Sequence, residues 1–240
     1  MGDLRQRILA QLSTYSLSNH YLRVGLELVS EQEVEGDTGF FCNFLNADQM
    51  WRLEAIFEEG TKALGLTHDQ LRKRAEFNFD AKLEKANFES FRALLRAASA
   101  LRSKRFSVSL VNSASLGDLV GERNGRRFAI EVKSYIYQGH EWAGGEIGSQ
   151  RDKWRDRLTH KVSNEHIPTG KKQLKELAER ERCGARLLLV VPNRSFITMW
   201  FGEEDFRAIY DQLKCKLQDA QIDYLCFLKD SFFYDCPSMS

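Results

Sequence analysis

Apolar and polar positions alternate along this chain in two rhythms, and the changes between them mark its elements. Over residues 3–17, charges are interleaved with Leu4, Ile8 and Leu12 at helical spacing. Residues 21–29 place Leu22, Val24, Leu26 and Leu28 at period two, which predicts a strand. The turn signal GDTGFF (36–41) then offers FFCNF as its hairpin partner. Asn46 or Asp48 is placed to cap a helix through Trp51, Ile56 and Phe57, and Thr67 to open another over 67–76.

The later pattern is more regular. Phe88, Phe91, Leu94, Leu95, Ala98 and Leu101 form the stripe of an amphipathic helix over 85–104. FSVSLV (106–111), DLVGER (118–123) and RRFAIEVKSY (126–135) predict strands, and the Asn124-Gly125 pair between the last two is a strong hairpin signal. A polar stretch at 138–168 contains a short helix at 149–161, and a helix over 170–182 ends at Gly184 as its C′ residue. ARLLLVVP (185–192) reads as a buried strand, FITMW (196–200) as a strand, 203–219 as a helix and YLCFL (224–228) as a last strand. The expected fold is α/β, a mixed central β-sheet flanked by helices with an N-terminal α+β extension. Residues 1–80 read as a separate module and 81–240 as the main domain.

Composition narrows the function classes. The chain has 240 residues, 42% of them hydrophobic, and only 3 Pro, which excludes a disordered or collagen-like chain. The 5 Cys are odd in number and widely spaced, fitting neither a zinc finger nor a disulfide framework. They read as small apolar fillers in a reducing compartment. Charges break each apolar run of MGDLRQRILAQL, and no run is long enough for a membrane span, so a soluble, cytoplasmic protein without a membrane partner is expected.

The net charge of +1 hides an asymmetry. Residues 1–60 hold four basic residues (Arg5, Arg7, Arg23, Arg52) against ten acidic ones, and residues 61–240 hold 31 basic against 24 acidic. Such a split fits a polyanion-facing part joined to an acidic one, or two solvated surfaces of opposite sign.

The hairpin carries the candidate chemistry. A two-residue turn at Asn124-Gly125 sets Arg123 against Arg126 and, counting outward, Asp118 against Glu131. Directly opposed residues share a face, with Cβ atoms about 4.5–5.5 Å apart, so two like charges there repel. A divalent cation between them reverses the sign of that interaction. Hard oxygen ligands in this number suit Mg²⁺, with Mn²⁺ as a substitute. Lys133, two residues on, falls on the same face, while Leu119, Phe128, Ile130 and Val132 make an apolar surface on the other.

The run SLGDLVGERNGRRFAIEVKSY resembles the PD-(D/E)XK nuclease superfamily, the restriction-endonuclease-like fold, whose signature is an Asp on one strand and Glu-x-Lys on the next. Asp118, Glu131 and Lys133 match those positions, and Gly117 stands where the family usually has Pro. The element order over residues 85–192 is similar to that fold's αβββαβ core, and the likeness is nearest to Holliday-junction-resolvase and Mrr-like members. The resemblance implies a metal-dependent endonuclease that hydrolyses phosphodiester bonds, with DNA as the expected nucleic-acid partner. It implies Mg²⁺ on Asp118, Glu131 and the backbone carbonyl of Val132, with Lys133 steadying the attacking hydroxide and the charge developing on the phosphate.

Secondary candidates follow from position. Glu89 lies on the helix before the hairpin, where many members keep an acid, and Glu84 is a weaker substitute; a solvated helix face is the other reading. Gln173 and Lys172, with Lys171, open the helix after the site, where related families place a Gln or Lys near the phosphate and where helix N-termini favour anions. SQRDKWRDRLTHK (149–161) holds five basic residues, among them Arg151, Lys153 and Arg155, against two acidic ones, with Trp154 between them. It suits tracking a nucleic-acid backbone with Trp154 stacked on a base, or an inward Trp with solvated charges. His140, His160 and His166 lack a cysteine partner for zinc and read as surface residues. GGEIG (144–148) and EHIPTGK (165–171) lack the context of nucleotide-binding loops and read as loops. The N-terminal module suits dimerisation or a protein partner. Two other classes stay open: a nucleic-acid-binding or assembly subunit that keeps the fold without turnover, and an α/β protein whose hairpin matches by chance.

Overall fold

The computed structural model describes residues 47–67, 84–111, 117–135, 147–192, 201–229 and 232–236, with single positions at 6, 7, 10 and 70. The expected strands over 21–29, 40–44 and 196–200 lie outside the described residues, as do most of the helix over 3–17 and His140. The chain divides into two compact units, Met1–Ser99 and Ala100–Ser240, a division that falls inside a helix.

In the first unit, helix α1 (Ala47–Leu64) packs on helix α2 (Glu84–Ser103), which continues into the second unit. Phe57 and Phe91 meet with ring centroids 6.0 Å apart, and both are buried. A Cβ added to Gly60 would stand 2.5 Å from the Leu95 Cβ and 2.8 Å from its Cα, so glycine sets how closely the helices approach. After α1, the Thr67 N–H donates to Gln70 Oε1 at 2.9 Å, and the Gln70 N–H donates to Thr67 Oγ1 at 3.2 Å. This reciprocal pair is the capping box expected where Thr67 opens a helix, whose further course lies outside the described residues.

The second unit is built on a six-stranded mixed sheet in the order β1 (Ser107–Leu110), β2 (Leu119–Arg123), β3 (Arg126–Tyr135), β4 (Ala185–Pro192), β5 (Tyr224–Lys229) and β6 (Phe232–Cys236). Strands β1 to β3 form an antiparallel meander, β3, β4 and β5 run parallel, and β6 returns antiparallel to β5. Sequence reading ends at β5 and misses β6, whose FFYDC run follows β5 closely. Parallel pairing needs crossovers. The first is α3 (Ile147–Lys161), a π-helical turn (Val162–His166) and α4 (Ile167–Glu181); the second is α5 (Glu203–Asp219). All three helices bury apolar stripes against one face of the sheet, in a core that includes Ala129, Leu188, Val190, Leu225 and Phe227. Among the described residues, no helix is long and apolar enough to cross a membrane.

The β2–β3 turn has positive φ at both central residues, 51° at Asn124 and 74° at Gly125, the geometry that a two-residue hairpin demands. Arg123 and Arg126 are paired in register, yet each cation has an aromatic partner: Arg123 lies over the Phe106 ring, and Arg126 over Phe128 and Tyr224.

Three local expectations need correction. EHIPTGK is not a loop: Glu165 and His166 close the π-helical turn, and Ile167 begins α4. A Pro at 168 clashes with the carbonyl of residue 164 in a regular helix, and the wider turn accommodates it. Helix α4 ends at Arg182, whose φ of 53° makes it the left-handed residue, so Gly184 does not serve as the C′ glycine. Of GGEIG, Ile147 and Gly148 begin α3 and the rest lies outside the described residues.

Gly60→Ala sets two effects against each other. Alanine favours a helix interior by about 1 kcal/mol, whereas overpacking costs about 1–3 kcal/mol. Because the clash reaches the Leu95 backbone, no rotamer change relieves it, and the overpacking wins. The substitution is expected to lower the melting temperature of the full chain by several degrees in circular dichroism. An unchanged or raised melting temperature would show that the helices are free to separate there.

Candidate active site

The hairpin register runs from Arg123↔Arg126 to Leu119↔Ile130, where β2 ends, and Asp118 lies just beyond it, near enough for its charge to act on Glu131. The Asp118 backbone is held from both sides: its N–H donates to the Ile130 carbonyl at 3.0 Å, and its carbonyl accepts from the Val111 N–H at 3.0 Å. Its carboxylate Oδ2 accepts the Val132 N–H at 2.8 Å. Val132 has the same strand parity as Ile130, so its carbonyl also points to the side where β2 ends.

Glu131 is 2% exposed. Its Oε1 accepts from Lys133 Nζ at 2.5 Å, whereas its Oε2 is buried without a hydrogen-bond partner. A Cβ built on Gly117 would lie 3.3 Å from that Oε2 and 2.8 Å from Leu177 Cδ2, and one on Gly170 would lie 4.0 Å from Glu131 Cγ. At Gly117, the position where the resembled family has Pro, glycine therefore lets the backbone approach the carboxyl and Leu177 more closely than a side chain would allow. Burial first and the Asp118 charge second raise the Glu131 pKa from 4.5 to about 8, with the Lys133 ammonium only partly opposing them. A buried carboxylate with one open oxygen costs several kcal/mol unless a cation compensates it.

Lys133 also donates to Gln173 Oε1 at 3.1 Å, so α4 supplies a second acceptor for its ammonium. The hairpin and α4 thus bring Asp118, Glu131, Lys133 and Gln173 together, with Val132 between them. Glu89 and Glu84 lie on α2 within the first unit.

The α3 candidates fall differently. Trp154 is 8% exposed and is not free to stack on a base. Trp154, Leu158 and Val162 are apolar residues of a strongly charged helical run, and their spacing carries all three into the core. Arg151 and Arg155 hold α3 to α5. Arg151 donates to the buried Asp205 carboxylate at 2.6–3.1 Å and pairs with Glu204, and Arg155 reaches Asp205 at 3.7 Å. Asp205 in turn accepts from the Gly202 N–H at the start of α5. Lys153 and Lys172 are exposed, and Lys171, also exposed, donates to the Asp219 carbonyl at 3.2 Å.

His166 is the residue that sequence reading misplaces. It is buried, 7% exposed, and its Nε2 has no hydrogen-bond partner. Its spacing from Gln173 is the one signal that places it on the same helical face.

Among the described residues, no group of three or more His, Cys, Asp or Glu side chains could hold a metal ion. Two carboxylates and a backbone carbonyl nevertheless suit Mg²⁺, which is bound through one or two carboxylates while keeping several waters. The open Glu131 oxygen is the feature that fits such a cation. The chain matches no known family profile, no curated protein and no solved structure.

The Glu131 shift sets a pH dependence. Below pH 4.5 its carboxyl is neutral in folded and unfolded chains alike, and stability is unaffected. As pH rises toward about 8, the unfolded chain releases a proton that the folded chain keeps, so stability falls across that window. Urea unfolding of metal-free protein is expected to show a loss on the order of a few kcal/mol between pH 5 and pH 8.5, with the slope reduced in Glu131→Gln. Mg²⁺ at pH 8.5 should restore stability to the wild type and not to the variant. Identical pH slopes for the two proteins would contradict the buried-carboxyl account.

Proposed function

We propose that the chain is a metal-dependent nuclease that hydrolyses phosphodiester bonds, with DNA as its substrate. The observation that carries this reading is the buried, half-unpaired Glu131 carboxyl set against Asp118 at the end of β2, with Lys133 on the same face. The succession of α2, β1, β2, β3, a helical crossover of α3 and α4, and β4 supports it, because it fits the αβββαβ core of the PD-(D/E)XK fold when the crossover is counted as one helical layer.

Asp118, Glu131 and the Val132 carbonyl would hold Mg²⁺ or Mn²⁺, which supplies charge neutralisation at the phosphate and a water of lowered pKa. The Val132 N–H fixes the Asp118 carboxylate, so this ligand is preorganised before any ion arrives. Lys133 places a positive charge where negative charge develops on the phosphoryl oxygens. Gln173 holds that ammonium from the α4 side, limiting its motion when Glu131 turns to a cation. Exposed Lys153 and Lys172 are the cations available for the nucleic-acid backbone, in place of the paired Arg151 and Arg155. Two nicks on opposite strands need two such sites, which a homodimer supplies.

Plasmid nicking in Mg²⁺ tests this reading. Wild type is expected to convert supercoiled DNA to nicked circles, and Asp118→Ala and Lys133→Ala to be slower by at least about a hundredfold. Equal cleavage by all three proteins would remove these residues from catalysis. DNA binding without cleavage by the wild type would favour a non-catalytic binding subunit.

A further inference from the structure

We infer that His166 belongs to the same site and donates a hydrogen bond from its imidazole to a non-bridging oxygen of the scissile phosphate, an inference that rests on the nuclease reading. The argument begins with placement. His166 has helical φ and ψ (−76°, −42°) and directly precedes α4, so His166, Gly170 and Gln173 follow at i, i+4 and i+7 along one face. The two later members of that stripe meet the site: Gly170 faces the Glu131 side chain, and Gln173 accepts from Lys133. His166 extends the stripe by one turn.

Its surroundings fit an anion. The charged form of His166 is opposed by burial first and then by the Lys133 and Lys161 ammonium groups, which lower its pKa to about 3. The imidazole is therefore neutral at working pH and cannot act as a general base there. It can still offer an N–H in a region of positive potential. A phosphoryl oxygen would pair the one open group, His166 Nε2, within that field, which no apolar or cationic ligand would do. Lys161 is itself steadied, lying 3.3 Å from Glu165 Oε2 and 5.9 Å from the Tyr135 ring centroid.

The local structure also argues against a packing role. A buried imidazole nitrogen without a partner destabilises a fold, and an apolar side chain there would avoid that cost. The π-helical turn that carries His166 is a form that recurs at functional sites.

Two measurements test the inference. His166→Phe keeps the ring and removes the nitrogens, so its melting temperature should equal or exceed that of the wild type. Its kcat on plasmid DNA should fall about tenfold to a hundredfold with KM little changed, and His166→Gln, which restores a donor, should recover part of the loss. Independently, ¹⁵N spectra of imidazole groups in metal-free wild type should show the Nε2 signal missing from His166→Phe shifting saturably with inorganic phosphate and not with chloride. Full activity in His166→Phe overturns the inference, as does an Nε2 signal indifferent to phosphate. If His166→Phe does not fold, the phosphate titration of the wild type decides alone. A wild type that shows the phosphate shift yet cleaves nothing would sink the nuclease reading while leaving His166 as an anion-binding residue.

Discussion

A carboxyl group held out of water, with one oxygen unpaired, governs the second unit. Glu131 sits on β3, which pairs antiparallel with β2 on one side and parallel with β4 on the other. The parallel pairing obliges the chain to leave and return through a crossover, and that crossover lays α4 over the face on which Glu131 points. Burial of the carboxyl is thus a consequence of topology. Glycine at 117 lets the backbone pack close to the acid and to Leu177, where a Cβ would stand 2.8 Å from the leucine. A sheet shaped only by packing would place an aliphatic residue at 131, because an apolar group of similar volume avoids both the desolvation and the Asp118 repulsion.

Much of this geometry was legible in the sequence because it is local. Two adjacent residues, Asn124 and Gly125, decide the turn type; the turn decides the register of β2 on β3, and Asp118 follows directly at the end of that register. The strands β2 and β3, helix α5 and the buried run of β4 follow from period and composition alone. Gln173 falls beside Lys133 because a helix after a parallel strand must pack back on the sheet, which fixes its inward face.

What the sequence concealed depends on tertiary packing. His166 lies in a polar stretch with Pro168 close behind, a composition typical of loops; only the continuous helical run from α3 to α4 turns it inward. Trp154 is surrounded by charges in the sequence, yet the few apolar residues of α3 have to face the core, so the aromatic ring goes inside. Arg182 adopts the left-handed conformation that Gly184, two residues later, seemed placed to supply. In each case a neighbour distant in sequence, or the continuity of a longer element, outweighs the local preference.

The same packing changes how the charge is to be counted. The excess of 31 basic over 24 acidic residues beyond residue 60 suggests a broad cationic surface. Arg151 and Arg155 are held by Asp205 and Glu204 to join α3 to α5, Arg123 and Arg126 lie over aromatic rings at the hairpin turn, and Lys133 is occupied by Glu131 and Gln173. Cations already engaged within the fold release few counterions on meeting a polyanion, so they add little to non-specific attraction. On the nuclease reading, contact with a phosphate backbone would draw on the exposed cations that remain, Lys153 and Lys172 among them, and on the site itself, where a bound cation would cancel the acids. On that reading recognition would turn on fit at the hairpin and α4 as well as on overall charge, the regime in which one uncharged donor such as His166 would have a measurable effect.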